Sequence, residues 1–296
     1  MTISTFFQLL IGGISIGALY ALPALGITLI WNAAGVFNFA NGDFVMVSCF
    51  LTYTLLSVLH IPFIVALLII MVFMYFFGVV TEKIIVETLR KDNSIALKSL
   101  VCFIALSLFI RNLARFIWGT TPRTVKNPFG NNPIVLFGSV YIMPHTFWII
   151  GISCTLMLIL VFLFKFTKLG IAMRATTQNI TVASLMGVNT KWIIGFVFGV
   201  SSIVAGFAGA LSSSIFYITL DMGVMFGTKA FASNVIGGFG SPVGAVVGGL
   251  LIGVIETFGA SLISSQYKDL ITFALLLLFL IFKPKGIFKL EVAQKV

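Results

Sequence analysis

Charged residues are scarce in this chain. Only 9% of its 296 residues are charged, whereas 59% are hydrophobic and the mean hydropathy is +1.16. A soluble domain has about a quarter of its residues charged, because it needs a polar surface. The composition therefore excludes an ordinary soluble protein, and it predicts a polytopic membrane protein whose main solvent is the lipid bilayer.

Residues that carry catalysis or bind metals are few as well. The chain has two His, three Cys and eight acidic residues, and none of them cluster at metal-ligand spacing. The phosphate-binding pattern G-x-x-x-x-G-K-[ST] does not occur. One G-x-S-x-G pattern lies at 13–17, but it falls inside an apolar run, where small residues are typical of close helix packing. We therefore predict no catalytic site, no metal site and no cofactor held by this chain.

Apolar runs of roughly 16 to 26 residues fill most of the sequence, and a membrane-spanning helix needs about 20. A barrel would instead alternate over about ten residues. Met1–Thr5 has no basic residue, so we expect the first run to be a retained span and not a signal peptide. The sequence predicts one all-α transmembrane domain over 1–296, with eight long spans at 6–31, 43–59, 62–80, 97–117, 145–164, 192–213, 243–258 and 269–283.

The basic residues predict how the helical bundle is oriented. The net charge is +10, and we attribute it to membrane topology and not to nucleic-acid binding. Loop 119–144 holds only two basic residues and is predicted outside. The positive-inside rule places three other segments in the cytoplasm, the C-terminus included. Their basic residues are Lys83, Arg90, Lys91, Lys98, Lys165, Lys168, Arg174, Lys191, Lys283, Lys285, Lys289 and Lys295.

Counting the crossings shows that one is missing. Loop 165–191 and the C-terminal tail are both predicted inside, yet only three long spans separate them. The best candidate for a fourth crossing is Thr228–Phe239, which runs into the helix-breaking residues 237–242. We predict a half-length or re-entrant helix there. A similar break at Asn38–Gly42 follows the first span, and the two breaks together predict two related halves, as in many transporters.

Two loops have patterns of their own. Small apolar residues in loop 166–191 form an amphipathic pattern that ends near Gly187, which predicts a short helix on the cytosolic face. This helix either docks into a partner's groove or lies on the lipid surface. In the external loop, the stretch "IVLFGSVYI" predicts a short hairpin with Gly138-Ser139 at its tip.

Two arginines lie near the outer end of a predicted span. Arg111 and Arg115 are four residues apart, so they share one face of a helix. Their charged groups either reach the outer interface or face a cavity and contact an anionic group. The sequence leaves both interpretations open.

Three stretches resemble one known family. "GALYALPALGITLIWNAAGVFNFANGDFVM" is similar to the opening signature of the LivH-type branched-chain amino acid permeases of ABC importers. "GIAMRATTQNITVASLMGVNT" is similar to the family's cytoplasmic loop, and "KAFASNVIGGFGSPVGAVVGGLLIGVIET" to its C-terminal signature. The resemblance runs from about residue 8 to 285. One departure is Asn41, where the family usually has His, so a hydrogen-bonding group is kept but a titratable one is not.

The resemblance implies a permease subunit in the bacterial inner membrane. Its partners would be two ATPase subunits that bind the ATP, a second, LivM-like permease subunit and a periplasmic binding protein that delivers branched-chain or other aliphatic amino acids. The cytoplasmic loop would couple the permease to the ATPases. The coupling residues implied are Arg174, Ala175, Ala183 and Gly187.

In this interpretation the two breaks face each other along the substrate path. Amides and backbone groups at helix ends replace the hydration of a zwitterion, while apolar walls accept an aliphatic side chain. The candidate path residues are Asn38, Asn41 and Asp43 in the first half and Gly237, Gly238, Gly240 and Ser241 in the second.

Three alternatives remain at this point. A related ABC permease for urea, short amides, sugars or nucleosides would have similar spans, so the sequence does not distinguish it well from a permease for branched-chain amino acids. A stand-alone secondary transporter or channel usually has ionisable residues well inside its spans, and we expect few of them here. A membrane-embedded enzyme would need a catalytic cluster, which the sequence does not show.

Overall fold

The computed structural model describes residues 2–89, 95–130, 132–136 and 140–288. Within these residues the chain forms eleven α-helices and one two-stranded hairpin. The elements are α1 Ile3–Ala34, α2 Asn41–Tyr53, α3 Phe63–Thr81, α4 Ile95–Trp118, β1 Ile134–Leu136, β2 Val140–Ile142, α5 Pro144–Phe166, α6 Lys168–Gln178, α7 Ile180–Leu185, α8 Thr190–Ser212, α9 Met222–Gly237, α10 Pro242–Leu262 and α11 Lys268–Phe282.

Eight helical segments of the described chain are long and apolar enough to cross a membrane. They coincide with the eight predicted spans to within about four residues, except that the third runs to Glu87 and not to residue 80, so the predicted all-α polytopic bundle is confirmed. Short π-helical turns at Thr54–Val58 and Glu82–Glu87 lengthen α2 and α3. Helices α1 and α8 are mostly buried within the protein, whereas α3, α4 and α11 present most of their surface outward. The span that begins with α2 is mostly buried as well, so these three spans form the centre of the bundle and the outward-facing helices form a lipid-facing shell.

Glycines let the central helices pack closely. A Cβ atom at Gly17 of α1 would collide with the backbone of Leu250 in α10, and one at Gly253 would collide with the backbone of Gly17. Only glycine fits such a crossing, because the two backbones touch. The prediction that the G-x-S-x-G pattern at 13–17 serves helix packing is thus confirmed.

Helix α9 is the short helix predicted from the crossing count. It has 16 residues, so it is about 24 Å long, compared with the roughly 30 Å of a bilayer core. It begins at Met222, six residues before the predicted start, and it ends at Gly237, two residues before the predicted end and at the start of the predicted break 237–242. Gly238 follows with φ of 107°, a conformation that favours glycine, and the helix stops there.

Loop 119–144 folds as predicted into a hairpin, in which β1 pairs antiparallel with β2. The predicted tip, Gly138-Ser139, lies outside the described residues. Before the hairpin, Arg123 pairs through its backbone with Ile218 of the α8–α9 connection. Loop 119–144 and this connection therefore meet at one end of the bundle, which we call the hairpin end.

The opposite end carries α6 and α7. The prediction of a single short helix in this loop is wrong, because Asn179 adopts an extended conformation between two helices. Its side chain accepts hydrogen bonds from the backbone N–H groups of Thr181 and Val182, and such side-chain capping competes with helix continuation. The predicted glycine cap is confirmed. Gly187 has φ of 85°, and the Val188 N–H bonds to the Ala183 carbonyl, which is a Schellman motif.

Candidate functional site: a polar cavity beside the short helices

Helices α2 and α9 cross at three glycines. A Cβ atom at Gly42 would collide with the backbone of Gly223 and Gly227, and one at Gly223 would collide with the Asp43 carboxylate. The first turn of α2 is therefore pressed against the first half of α9. This crossing places the break that follows α1 beside the short helix of the second half.

A cavity of about 320 Å³ lies over this crossing, between α4 and α11. Its volume is in the range of small-molecule binding sites. Most of the wall is apolar, and a few polar side chains enter it from α4 and from the start of α2. The lining residues are Ile27, Phe37, Asn38, Phe39, Gly42, Asp43, Ile104, Ser107, Arg111, Gly223, Val224, Gly227, Thr228, Phe231, Phe273 and Leu276.

An ion pair lies in the cavity wall. Arg111 Nε is 2.9 Å from Asp43 Oδ1, and the Asp43 side chain is only 2% exposed. Arg111 Nη2 also donates to Ser107 Oγ at 2.6 Å. Of the two interpretations of the arginine pair, the cavity-facing one is therefore confirmed for Arg111, whereas Arg115 is exposed and does not line the cavity.

The two asparagines of the first break have different surroundings. Asn38 is fully buried and lines the cavity, and its Nδ2 has no hydrogen-bond partner among the described residues. Asn41 is also fully buried, but it does not line the cavity. Its Nδ2 donates to the Pro23 carbonyl in the middle of α1 at 3.0 Å. Asn41 thus fastens α2 to α1.

The second break does not reach the cavity. The Gly240 carbonyl accepts a hydrogen bond from Asn32 Nδ2 at 2.6 Å, and Ser241 Oγ caps α10 by accepting from the Gly244 N–H at 3.1 Å. The second half contributes the start of α9 to the cavity instead. The predicted path residues that the structure does not bring into the cavity are Asn41, Gly237, Gly238, Gly240 and Ser241.

A second cavity continues toward the hairpin end. It measures about 630 Å³ and shares Val224, Thr228 and Phe273 with the first. Asp221 and Asp269 lie on its wall. The two cavities together form a groove along α9, which we call the α9 groove.

Aromatic rings lie at the other end of the α9 groove. The ring centroids of Phe37 and Phe39 are 4.3 Å apart, and that of Phe37 is 5.4 Å from Phe231 and 5.7 Å from Phe239. The ring of Trp31, near the end of α1, contacts Phe239 at 5.2 Å. We call these five residues the aromatic cluster. It lies between the cavity and the end of the bundle that carries α6 and α7.

A buried charge cluster was missed in the sequence. Lys229 Nζ lies 2.7 and 2.8 Å from the two carboxylate oxygens of Glu256, and 3.2 Å from the Tyr20 hydroxyl. Asp269, at the start of α11, is 3.3 Å from the same ammonium. The expectation of few ionisable residues inside the spans did not foresee this buried pair between α9 and α10. No pattern could have paired Lys229 with Glu256, because they lie on different helices.

The predicted coupling residues have mixed surroundings. Arg174 Nη1 donates to the Phe164 carbonyl at 2.6 Å and so caps α5, and Ala183 is buried. Ala175 is half-buried and Gly187 is exposed. The exposed apolar side chains of α7 and its cap are Val182, Leu185 and Met186, which we call the α7 patch.

A chain of contacts joins this end of the bundle to the second break. The Thr177 hydroxyl of α6 donates to the Asn32 carbonyl in α1. The Asn32 side chain in turn bonds to the Gly240 carbonyl, next to Phe239 of the aromatic cluster. The loop that carries α6 and α7 is thus linked through Asn32 to the residue next to the aromatic cluster.

Comparison with known proteins identifies the family. The family model described as the permease component of branched-chain amino acid transport systems matches residues 9–280. The chain belongs to this permease family. The eight helices that are long enough to cross a membrane and the family match together show that the chain is a multi-pass membrane protein of a transport permease family.

Named relatives match the permease over nearly its whole length. It is 30% identical to the high-affinity branched-chain amino acid transport system permease protein LivH of Salmonella typhimurium, over 98% of each chain. It is also 30% identical to the corresponding protein BraD of Pseudomonas aeruginosa, again over 98% of each. A solved structure, PsaBC from Streptococcus pneumoniae in complex with Fab, is 18% identical with a TM-score of 0.48, over 94% of this chain and 92% of that one.

Proposed function

We propose that this permease forms the transmembrane path of an ABC importer for branched-chain or other aliphatic amino acids. It is not an enzyme in this proposal. It lies in the bacterial inner membrane with a cytoplasmic C-terminus, and loop 119–144 faces the periplasm. A periplasmic binding protein delivers the amino acid, a second, LivM-like permease subunit completes the path, and two ATPase subunits below it bind and hydrolyse ATP.

The observation that carries the proposal is the α9 groove with its polar cavity. An amino acid needs polar groups for its two charges and an apolar wall for its aliphatic side chain. The cavity offers Asp43, Arg111 and Asn38 beside an otherwise apolar lining. The family match and the names of the relatives support the choice of amino acids over the alternative solutes.

The α7 patch supports the role of the cytoplasmic loop in coupling. Leu185 is 81% exposed, and Met186 and Val182 beside it are exposed as well. A cluster of exposed apolar side chains on one short helix is suited to a partner's groove. In this proposal the ATPase holds the α7 patch, and Ala183 and Gly187 shape the helix that presents it. Motion of the loop then reaches the aromatic cluster through Thr177, Asn32 and Gly240.

Uptake by the assembled transporter tests this function. The permease would be co-expressed with its candidate ATPases, second permease and binding protein, and reconstituted in proteoliposomes. We expect ATP-dependent uptake of labelled leucine, isoleucine or valine that requires the binding protein. Uptake of urea, a sugar or a nucleoside in place of aliphatic amino acids would contradict the substrate assignment. Uptake without the ATPases would contradict the ABC mechanism.

A further inference from the structure

We infer that Asp43, Arg111 and Asn38 form a subsite that recognises the two charged groups of a zwitterionic amino acid. The Asp43 carboxylate receives the α-ammonium group, and the Arg111 guanidinium receives the α-carboxylate. This inference rests on the proposed function, because it names the part of the α9 groove that reads the substrate's charges.

The first argument is the remaining bonding capacity of the ion pair. Arg111 Nε and Asp43 Oδ1 pair at 2.9 Å, and Arg111 Nη2 donates to Ser107 Oγ. A guanidinium has five N–H donors, and these contacts use two of them, so the remaining donors can bind a carboxylate. A carboxylate has about four acceptor positions, so the Asp43 side chain can receive an ammonium group in addition to Arg111.

The second argument is the position of Asn38. It is fully buried, and its Nδ2 has no partner in the described part of the chain, although the residue lines the cavity. An unpaired buried amide is unfavourable unless a ligand or water uses it. An α-carboxylate beside Arg111 would be such an acceptor, so the subsite has two donors for the carboxylate and one acceptor for the ammonium.

The third argument is the composition of the surrounding wall. The two opposite charges of Asp43 and Arg111 lie side by side in the cavity wall. Ile104, Val224 and Phe231 line the same cavity, and most of the remaining lining is apolar. A single-charge solute would satisfy only one member of the ion pair. A neutral solute such as urea or a sugar brings no charge, so it cannot replace either member of the ion pair as a partner for the other. The subsite therefore favours solutes that carry both charges and an apolar side chain.

The test compares leucine with two analogues that each lack one charge. Saturation-transfer NMR on the full chain in lipid nanodiscs would measure the dissociation constants of leucine, 4-methylpentanoate and 3-methylbutylamine. Asp43→Asn should weaken binding of leucine and of the amine about tenfold, and it should not weaken binding of the carboxylate analogue, because Arg111 loses its competing partner. Arg111→Gln should weaken binding of leucine and of 4-methylpentanoate about tenfold, and for the same reason it should not weaken binding of the amine. Each factor of ten corresponds to about 1.4 kcal/mol.

Controls separate recognition from folding. Arg115→Gln removes a charge one turn away on the same helix and outside the cavity, so all three dissociation constants should stay unchanged. The double variant Asp43→Asn/Arg111→Gln leaves no unpaired charge in the wall, and it should fold yet bind leucine weakly. If Asp43 and Arg111 had only a structural role, each single variant would weaken the binding of all three ligands equally.

The inference and the proposed function fail in different ways. If each single variant affects both analogues alike, or neither of them, or if the wild-type chain binds no leucine, the subsite is wrong. The proposed function still stands in these cases if the assembled wild-type transporter takes up aliphatic amino acids. If that transporter carries a solute of another class, the proposed function is wrong whatever the chain binds.

Discussion

Replacing Leu185 with Asp is expected to abolish ATP-driven uptake and to leave the permease folded. Leu185 is 81% exposed, so a carboxylate there disturbs no packing within the chain. In the assembled transporter the same side chain would enter an apolar groove of the ATPase. Loss of a central apolar contact costs at least about 2 kcal/mol of binding, which corresponds to roughly 30-fold in affinity. Co-purification of the ATPase and leucine uptake measure the effect.

A matched control is Leu59→Asp. Leu59 is also an exposed leucine beside a helix end, but it lies at the end of the extended α2, next to the turn that leads into α3. This variant should keep both the ATPase and uptake. If Leu185→Asp keeps both as well, the α7 patch does not hold the ATPase, and the alternative that α7 lies on the lipid surface is favoured.

Replacing Lys229 with Met is expected to be the most destabilising single change considered. The Lys229 and Glu256 side chains are only 3% and 4% exposed and are joined at 2.7 Å. Removing one partner leaves a buried, unpaired carboxylate, which costs about 3–5 kcal/mol. The purified permease would be unfolded in detergent by heat or by denaturant, and the decrease in its free energy of unfolding measures the loss of stability.

Two further variants show whether the loss arises from the buried pair. Lys229→Met/Glu256→Met replaces both charges by apolar groups and should recover most of the stability, because a buried pair is often no better than apolar packing. Asp269→Asn should cost less than about 1 kcal/mol, because this carboxylate is 69% exposed and its contact is screened. A Lys229→Met protein as stable as the wild type would contradict the assigned role of the pair.

The spans and the short helix could be predicted because lipid imposes simple rules. Length and hydropathy locate eight long helices, since the bilayer fixes how many apolar residues a span needs. Helix α9 is too short for that rule. It was predicted because the positive-inside rule places both flanking segments on the same side of the membrane, and one more crossing was then required. Its start at Met222 was missed, although Asp221 directly before it is a residue type that is typical of helix N-caps.

The site was predicted only in part because its geometry depends on contacts between distant residues. Asp43 and Asn38 were identified as polar residues in an apolar context, and both line the cavity. Their neighbours on α9 and α4 could not be identified, since no local pattern shows that Gly42 packs on Gly223 or that Arg111 reaches Asp43. The Gly-rich stretch 237–241 was a clear helix break, but a break does not reveal whether it faces a cavity or a neighbouring loop.

Asn41 shows how the same signal can have two origins. A buried amide at a helix start suggests a ligand contact as readily as a brace between helices. Among the described residues, Asn41 Nδ2 has a backbone partner at Pro23 and Asn41 Oδ1 has none, whereas the Nδ2 of Asn38 has no partner and Asn38 lines the cavity. Only the tertiary positions of the neighbouring helices distinguish the two cases.

Thiol labelling at position 228 tests most directly whether the substrate path runs along the α9 groove. Thr228 lines both cavities. In a chain whose Cys102 and Cys154 are replaced by Ala, the variant Thr228→Cys would be treated with a membrane-impermeant thiol reagent. Ser233→Cys, on the same helix but buried, serves as the control and should not react.

The rate of labelling and the uptake of leucine would be measured in the same reconstituted transporter. We expect the reagent to label residue 228, leucine to slow the labelling, and the labelled transporter to lose its uptake. Complete labelling at residue 228 with unchanged uptake, and with no effect of leucine on the rate, would contradict a path along the α9 groove.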